Sequence, residues 1–115
     1  LDTGHCVYGH GDASQEAEKF KSKLRFVHIK DCSTSVLDQA RRQHWNFEQA
    51  IEHKIFTVIG KGNIDFPDFF RTLVRNGYSG WCVVEQDMKF GDPTVVPSDN
   101  VTASLKYLHE IVGTL

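Results

Sequence analysis

The chain has 115 residues, 40% of them apolar and 24% charged, enough for one modest core but too few to complete a large barrel. Its net charge of −2 gives no overall basic bias toward nucleic acid or membrane, and no apolar run approaches the roughly 20 residues of a membrane span. Three cysteines, Cys6, Cys32 and Cys82, follow neither a zinc-finger nor a Cys-x-x-Cys spacing, and no signal peptide opens the chain, so reduced thiols and a cytoplasmic location are expected.

Leu1-Asp2-Thr3-Gly4-His5 brings polar residues in where the end of a strand is expected, as if the chain started inside an element. Asp12 then caps a predicted helix with Gln15 reaching back, and Ala13, Ala17, Phe20 and Leu24 recur at helical spacing. Arg25 to Asp31 reads as a strand, with Phe26, His28 and Lys30 on one face and Val27 and Ile29 on the other. Residues 33 to 54 form a helical excursion in two segments, the second opened by Asn46. Phe56-Thr57-Val58-Ile59 is broken at once by Gly60-Lys61-Gly62-Asn63, so an irregular loop is expected there.

Asp65 caps a further helix with Pro67 in its first turn, an apolar face of Phe66, Phe69, Phe70, Leu73 and Val74, and an Asn76-Gly77 stop. It feeds Gly80-Trp81-Cys82-Val83-Val84-Glu85-Gln86-Asp87, which reads as a strand buried on both faces, with Trp81 as core packing. Alternation along it sets Trp81, Val83, Glu85 and Asp87 on one face and Cys82, Val84 and Gln86 on the other. Ser98 caps a last helix whose Val101, Leu105, Leu108 and Ile111/Val112 face the core.

Strands alternating with helices imply parallel βαβ units and an α/β fold. Two full strands and part of a third cannot cover both faces of a parallel sheet, so the expectation is the C-terminal portion of a (β/α)8 TIM barrel, residues 1–115 forming one partial domain. A carboxylate is costly to bury unpaired, and α/β folds place ligands at the C-terminal ends of strands, so Glu85 is the first candidate for function. Asp2 and His28 stand at equivalent strand ends.

Asp2-Thr3-Gly4-His5, Val27-His28-Ile29-Lys30-Asp31, Gly60-Lys61-Gly62-x-Ile64-Asp65-Phe66 and Gly77-Tyr78-x-Gly80-Trp81 running into Val83-Val84-Glu85 together resemble the xylose isomerase-like TIM barrels of the sugar isomerase, epimerase and inosose dehydratase group. In that group Glu, Asp, His and Glu from successive strand ends hold a divalent metal. The resemblance matches Asp2, His28 and Glu85 to the last three and puts the first Glu upstream of Leu1. Two carboxylates and an imidazole suit Mn, Mg or Co, and the resemblance favours Mn. It makes His5, in a strand-to-helix loop, a substrate-hydroxyl contact or proton carrier. Lys30, one pleat from His28, becomes a candidate electrostatic catalyst. His5, Lys30 and Gln86 form the expected substrate-binding set, although alternation alone points Asp31 and Gln86 away from the barrel axis.

The activity this implies is metal-dependent loss of water from a keto-polyol through an enolate, as in inosose dehydratases. Keto-sugar epimerisation or isomerisation is the alternative, and an inactive truncated half-barrel a second one. Partners are expected to be small molecules, not nucleic acid or membrane, with homo-oligomerisation left open. Abasic-site endonucleases share the barrel and an Asp-Thr-x-His opening, but their Asp-x-His ligand pair before the Gly-x-Gly turn is replaced here by Lys54 and Phe56.

Overall fold

A computed structural model describes all residues, Leu1 to Leu115. In chain order it contains α1 (Thr3–Tyr8), α2 (Ala13–Lys19), β1 (Phe26–Ile29), β2 (Asp31–Cys32), α3 (Thr34–Arg42), α4 (Phe47–Glu52), β3 (Phe56–Thr57), α5 (Phe66–Arg75), β4 (Trp81–Val84) and α6 (Pro97–Val112). β1 and β4 pair in parallel, Phe26 opposite Trp81 and Ile29 opposite Val84. On the other edge of β1 the chain start pairs in parallel too, through an Asp2–His28 bridge and a bond from His28 N–H to the Leu1 carbonyl. Three strand ends, at Asp2, His28 and Glu85, therefore lie side by side and point the same way.

One face of this strip carries the main core. Val27, Ile29 and Val84 pack with Ala13 and Ala17 of α2, Phe66, Phe69, Phe70 and Leu73 of α5, and Leu108 of α6. Each fully buried large side chain contributes roughly 1.5–3 kcal/mol. A second cluster of Cys32, Leu37, Ala40, Ala50, Ile55 and Phe56 lies under α3 and α4, so the 33 to 54 excursion has its own core. Asn46 and Gln49 complete a reciprocal capping box on α4, and Asp12 and Asp65 cap α2 and α5. Helices α1, α3 and α4 stop through left-handed residues, His10, His44 and Lys54, followed by bonds from Gly11, Trp45 and Ile55 N–H to Cys6, Ala40 and Ala50 carbonyls.

Several expectations are corrected. His5 lies within helix α1, not in a loop, because the Asp2 carboxylate caps that short helix at the His5 N–H. Phe56–Thr57 makes a two-residue antiparallel ribbon with Asp31–Cys32 before the turn. β4 has a strand neighbour on only one edge, and Trp81 is 76% exposed, not core. Pro97 starts α6 one residue before Ser98, which caps nothing. Val101, Leu105 and Val112 of α6 are exposed because Ser104, Tyr107, Leu108 and Ile111 take its core-facing positions, and Val74 of α5 is exposed because Phe66, Phe69, Phe70 and Leu73 take those of α5. No helix is long and apolar enough to cross a membrane.

Candidate metal centre

The opening tetrapeptide supplies four different parts. Asp2 uses Oδ1 to cap α1, leaving Oδ2 free to face His28 and Lys30. Thr3, fully buried, clamps the Lys30 backbone from both sides: its hydroxyl accepts from Lys30 N–H at 2.9 Å and donates to the Lys30 carbonyl at 2.7 Å. Gly4 lies against the Lys30 stem, and a Cβ there would come within 2.6 Å of Lys30 Cγ. His5, one turn into α1, turns its imidazole to the end of that same stem.

Asp2, His28 and Glu85 each offer one ligand atom, and these atoms lie within 4.8 Å of one another. His28 Nδ1 is 2.6 Å from Glu85 Oε2 and 3.6 Å from Asp2 Oδ2. Beside them sits Lys30, 1% exposed, with Nζ 3.2 Å from Asp2 Oδ2, 3.2 Å from Glu85 Oε1 and 2.8 Å from Asp87 Oδ2. Burial works against its charge, but bonds to Asp87, Asp2 and Glu85 outweigh that and hold the ammonium above the usual lysine range. Burial likewise favours the neutral form of Asp87, and the Lys30 and His5 contacts outweigh it, holding this carboxyl below the usual range. The His5 ring stacks on Phe56 at 5.3 Å and meets Phe47 edge-on, so α4 and β3 wall one side of the cluster.

Of the residues expected at the site, Asp2, His5, His28, Lys30 and Glu85 come together. Gln86 does not: strand alternation continues past Val84 and turns its amide to the Phe56 carbonyl and to Asn100 of α6. Asp87 was absent from the expected set, although it shares the Glu85 face at the next pleat. Asp31 points the other way, fully buried, and its carboxylate accepts from the backbone N–H of Cys32, Gly60, Gly62 and Ile64. The glycine-rich turn thus cradles an internal carboxylate.

The family described as Xylose isomerase-like TIM barrel matches residues 1–111. The chain is also similar to proteins named inosose dehydratase: 38% identical over 93% of this chain and 35% of the relative in Bacillus velezensis, and 34% over 99% of this chain and 36% of the relative in Geobacillus kaustophilus. A third, in Klebsiella pneumoniae, is 37% identical over 98% of this chain and 38% of its own length. The chain thus spans little more than a third of the length of these curated relatives.

Proposed function

The chain belongs to the xylose isomerase-like TIM-barrel family, and from that premise we propose that residues 1–115 are one part of a barrel enzyme that removes water from a keto-polyol, in the manner of an inosose dehydratase, with a divalent metal held by Asp2, His28 and Glu85. The observation that carries this reading is the convergence of those three donors within 4.8 Å beside the buried Lys30. Ligands to one ion at about 2.0–2.6 Å cannot be more than about 5 Å apart, so the trio fits. Two carboxylates and one imidazole suit Mn, with Co or Mg as the alternatives. A bound ion there supplies Lewis-acid polarisation of a ketone.

The chain's own residues supply the rest. Lys30 holds a fixed positive charge where negative charge develops on the substrate oxygen, and its stem cannot swing freely with Thr3 on its backbone and Gly4 against its side. His5, partly exposed at the mouth of the cluster, carries a proton between substrate carbon and departing hydroxyl. Phe56, packed on one face of that imidazole, holds the plane of its ring. All three cysteines are free, in keeping with a cytoplasmic setting.

The test is to strip the full-length protein with a chelator and assay inososes and keto-hexoses with Mn, Co and Mg restored one at a time. Metal-dependent loss of one water from an inosose, seen by mass spectrometry, is expected. Turnover that survives chelation contradicts the metal assignment, and a mass-neutral product moves the assignment to epimerisation or isomerisation.

A further inference from the structure

Lys30 Nζ has four polar neighbours within 3.2 Å: Asp87 Oδ2, His5 Nε2, Asp2 Oδ2 and Glu85 Oε1. An ammonium has three N–H groups, and an ionised carboxylate only accepts. His5 Nε2 is also 3.1 Å from Asp87 Oδ2, so this nitrogen either accepts from Lys30 or donates to Asp87, and cannot do both. In the first arrangement one of three carboxylates goes without an N–H from Lys30, and the cluster makes three bonds. In the second, Lys30 donates once to each carboxylate and His5 donates to Asp87, making four. The second arrangement sets two donor nitrogens 2.9 Å apart, but it adds one charge-assisted bond, and bonds of this kind are the strong ones, so it is the arrangement favoured here.

We propose that Asp87 is a positioning residue that fixes His5 as its Nε2–H tautomer, leaving Nδ1 without the proton. Which nitrogen of a histidine carries the proton is set by the bond the other atoms offer it. Here a single carboxylate oxygen serves both His5 and Lys30, so Asp87 ties the orientation of the proton carrier to that of the neighbouring cation. The stacking of the ring on Phe56, 14° from parallel, holds the plane in which that bond forms. The proposal rests on the reading of His5 as a proton carrier, but the tautomer itself does not depend on it.

Long-range 1H–15N spectra of the full-length protein, recorded at alkaline pH where imidazoles are neutral and assigned through His5→Gln, read the tautomer directly. Wild type is expected to show His5 protonated at Nε2. In Asp87→Ala only Lys30 remains as a partner, so Nε2 becomes an acceptor and the proton moves to Nδ1. In Lys30→Met the competing donor is gone and the Nε2–H form persists. Opposite responses of this kind are not produced by a general loosening of the site. Mn affinity in Asp87→Ala should fall by less than the roughly 10–100-fold that loss of a ligand's own hydrogen-bond partner costs, since Asp87 contacts Lys30 and His5 and not the ligand trio. Nδ1–H in wild type, or an unchanged tautomer in Asp87→Ala, overturns the proposal. Absence of Mn binding in every variant, wild type included, contradicts the metal reading and leaves the tautomer result standing.

Discussion

Lys30 and Asp31 are consecutive, charged and almost wholly buried, yet they serve opposite sides of one strand end. Lys30 is surrounded by the side chains of Asp2, His5, Glu85 and Asp87, brought from two separate stretches of the chain and each still partly open to solvent. Asp31 is surrounded by backbone N–H groups of Cys32, Gly60, Gly62 and Ile64. Amide partners have no other state to adopt, so the Asp31 carboxylate is satisfied and inert, and it fastens the turn. Side-chain partners can be redirected to an ion or a substrate. What distinguishes a buried charge that builds a fold from one that builds a site is therefore the nature of its partners, not the depth of its burial.

Substitution separates the two most sharply at Asp31. Asp31→Ala leaves four N–H groups without their acceptor, that of Cys32 buried and those of Gly60, Gly62 and Ile64 part-buried, so at the low end of roughly 1–3 kcal/mol each it should cost about 4 kcal/mol in chemical denaturation. A loss under about 1 kcal/mol would make that carboxylate dispensable and erase the contrast. Lys30→Met should do the reverse: the protein folds, Mn binds as tightly or more tightly, and turnover falls by about 10²-fold, near 2.7 kcal/mol of barrier. Unchanged turnover would move Lys30 into the structural class with Asp31.

The two glycines that press on these residues sharpen the point further. In Gly62→Ala the new Cβ meets Asp31 Oδ1 and, at 2.7 Å, the Cys32 carbonyl, so the melting point should drop by the equivalent of about 2 kcal/mol. In Gly4→Ala the clash is with the flexible Lys30 stem at 2.6 Å, so stability should fall less than turnover does. The same order of effects for both variants would contradict this division. Cys32, beside Asp31, gives a signal confined to alkaline pH. Burial pushes its thiol up to about 11, with the Asp31 charge adding to it. The unfolded thiol ionises first, so this contribution to stability is complete below about pH 9 and is lost as pH rises through about 11, at no more than about 1.4 kcal/mol per pH unit. Cys32→Ala should flatten that part of the stability profile, and an identical slope would show that the thiol is reached by water.

The sequence carried β1 plainly, because period-two alternation through Val27-His28-Ile29-Lys30 is decided locally, and so it delivered His28 and Lys30 to one face. Caps at Asp12, Asn46 and Asp65 were legible for the same reason. Helix α1 was not, since six residues with a glycine carry no helical period and their start depends on Asp2, which looks like a strand end. Helix stops at His10, His44 and Lys54 were hidden because the left-handed position there is not a glycine. Asp87 escaped because alternation gives a face but not a partner, and its partners are Lys30, just after β1, and His5 of α1. The exposed side of α6 shows the converse: Val101 and Leu105 fit a helical stripe, but whether a stripe is covered depends on what packs there.

The claim that Asp2, His28 and Glu85 hold a metal is tested most directly by thermal melts of the full-length protein and its Glu85→Gln variant, with and without added Mn. The substitution keeps the shape of the side chain and removes one charge from the cluster. Wild type should gain stability with Mn concentration, about 2.7 kcal/mol at a hundred times its dissociation constant, and the variant should lose that gain while melting close to wild type without metal. A variant that melts far below wild type in the absence of Mn, yet gains as much from added Mn, would show Glu85 to be a structural partner of Lys30 and His28 and would contradict the assignment.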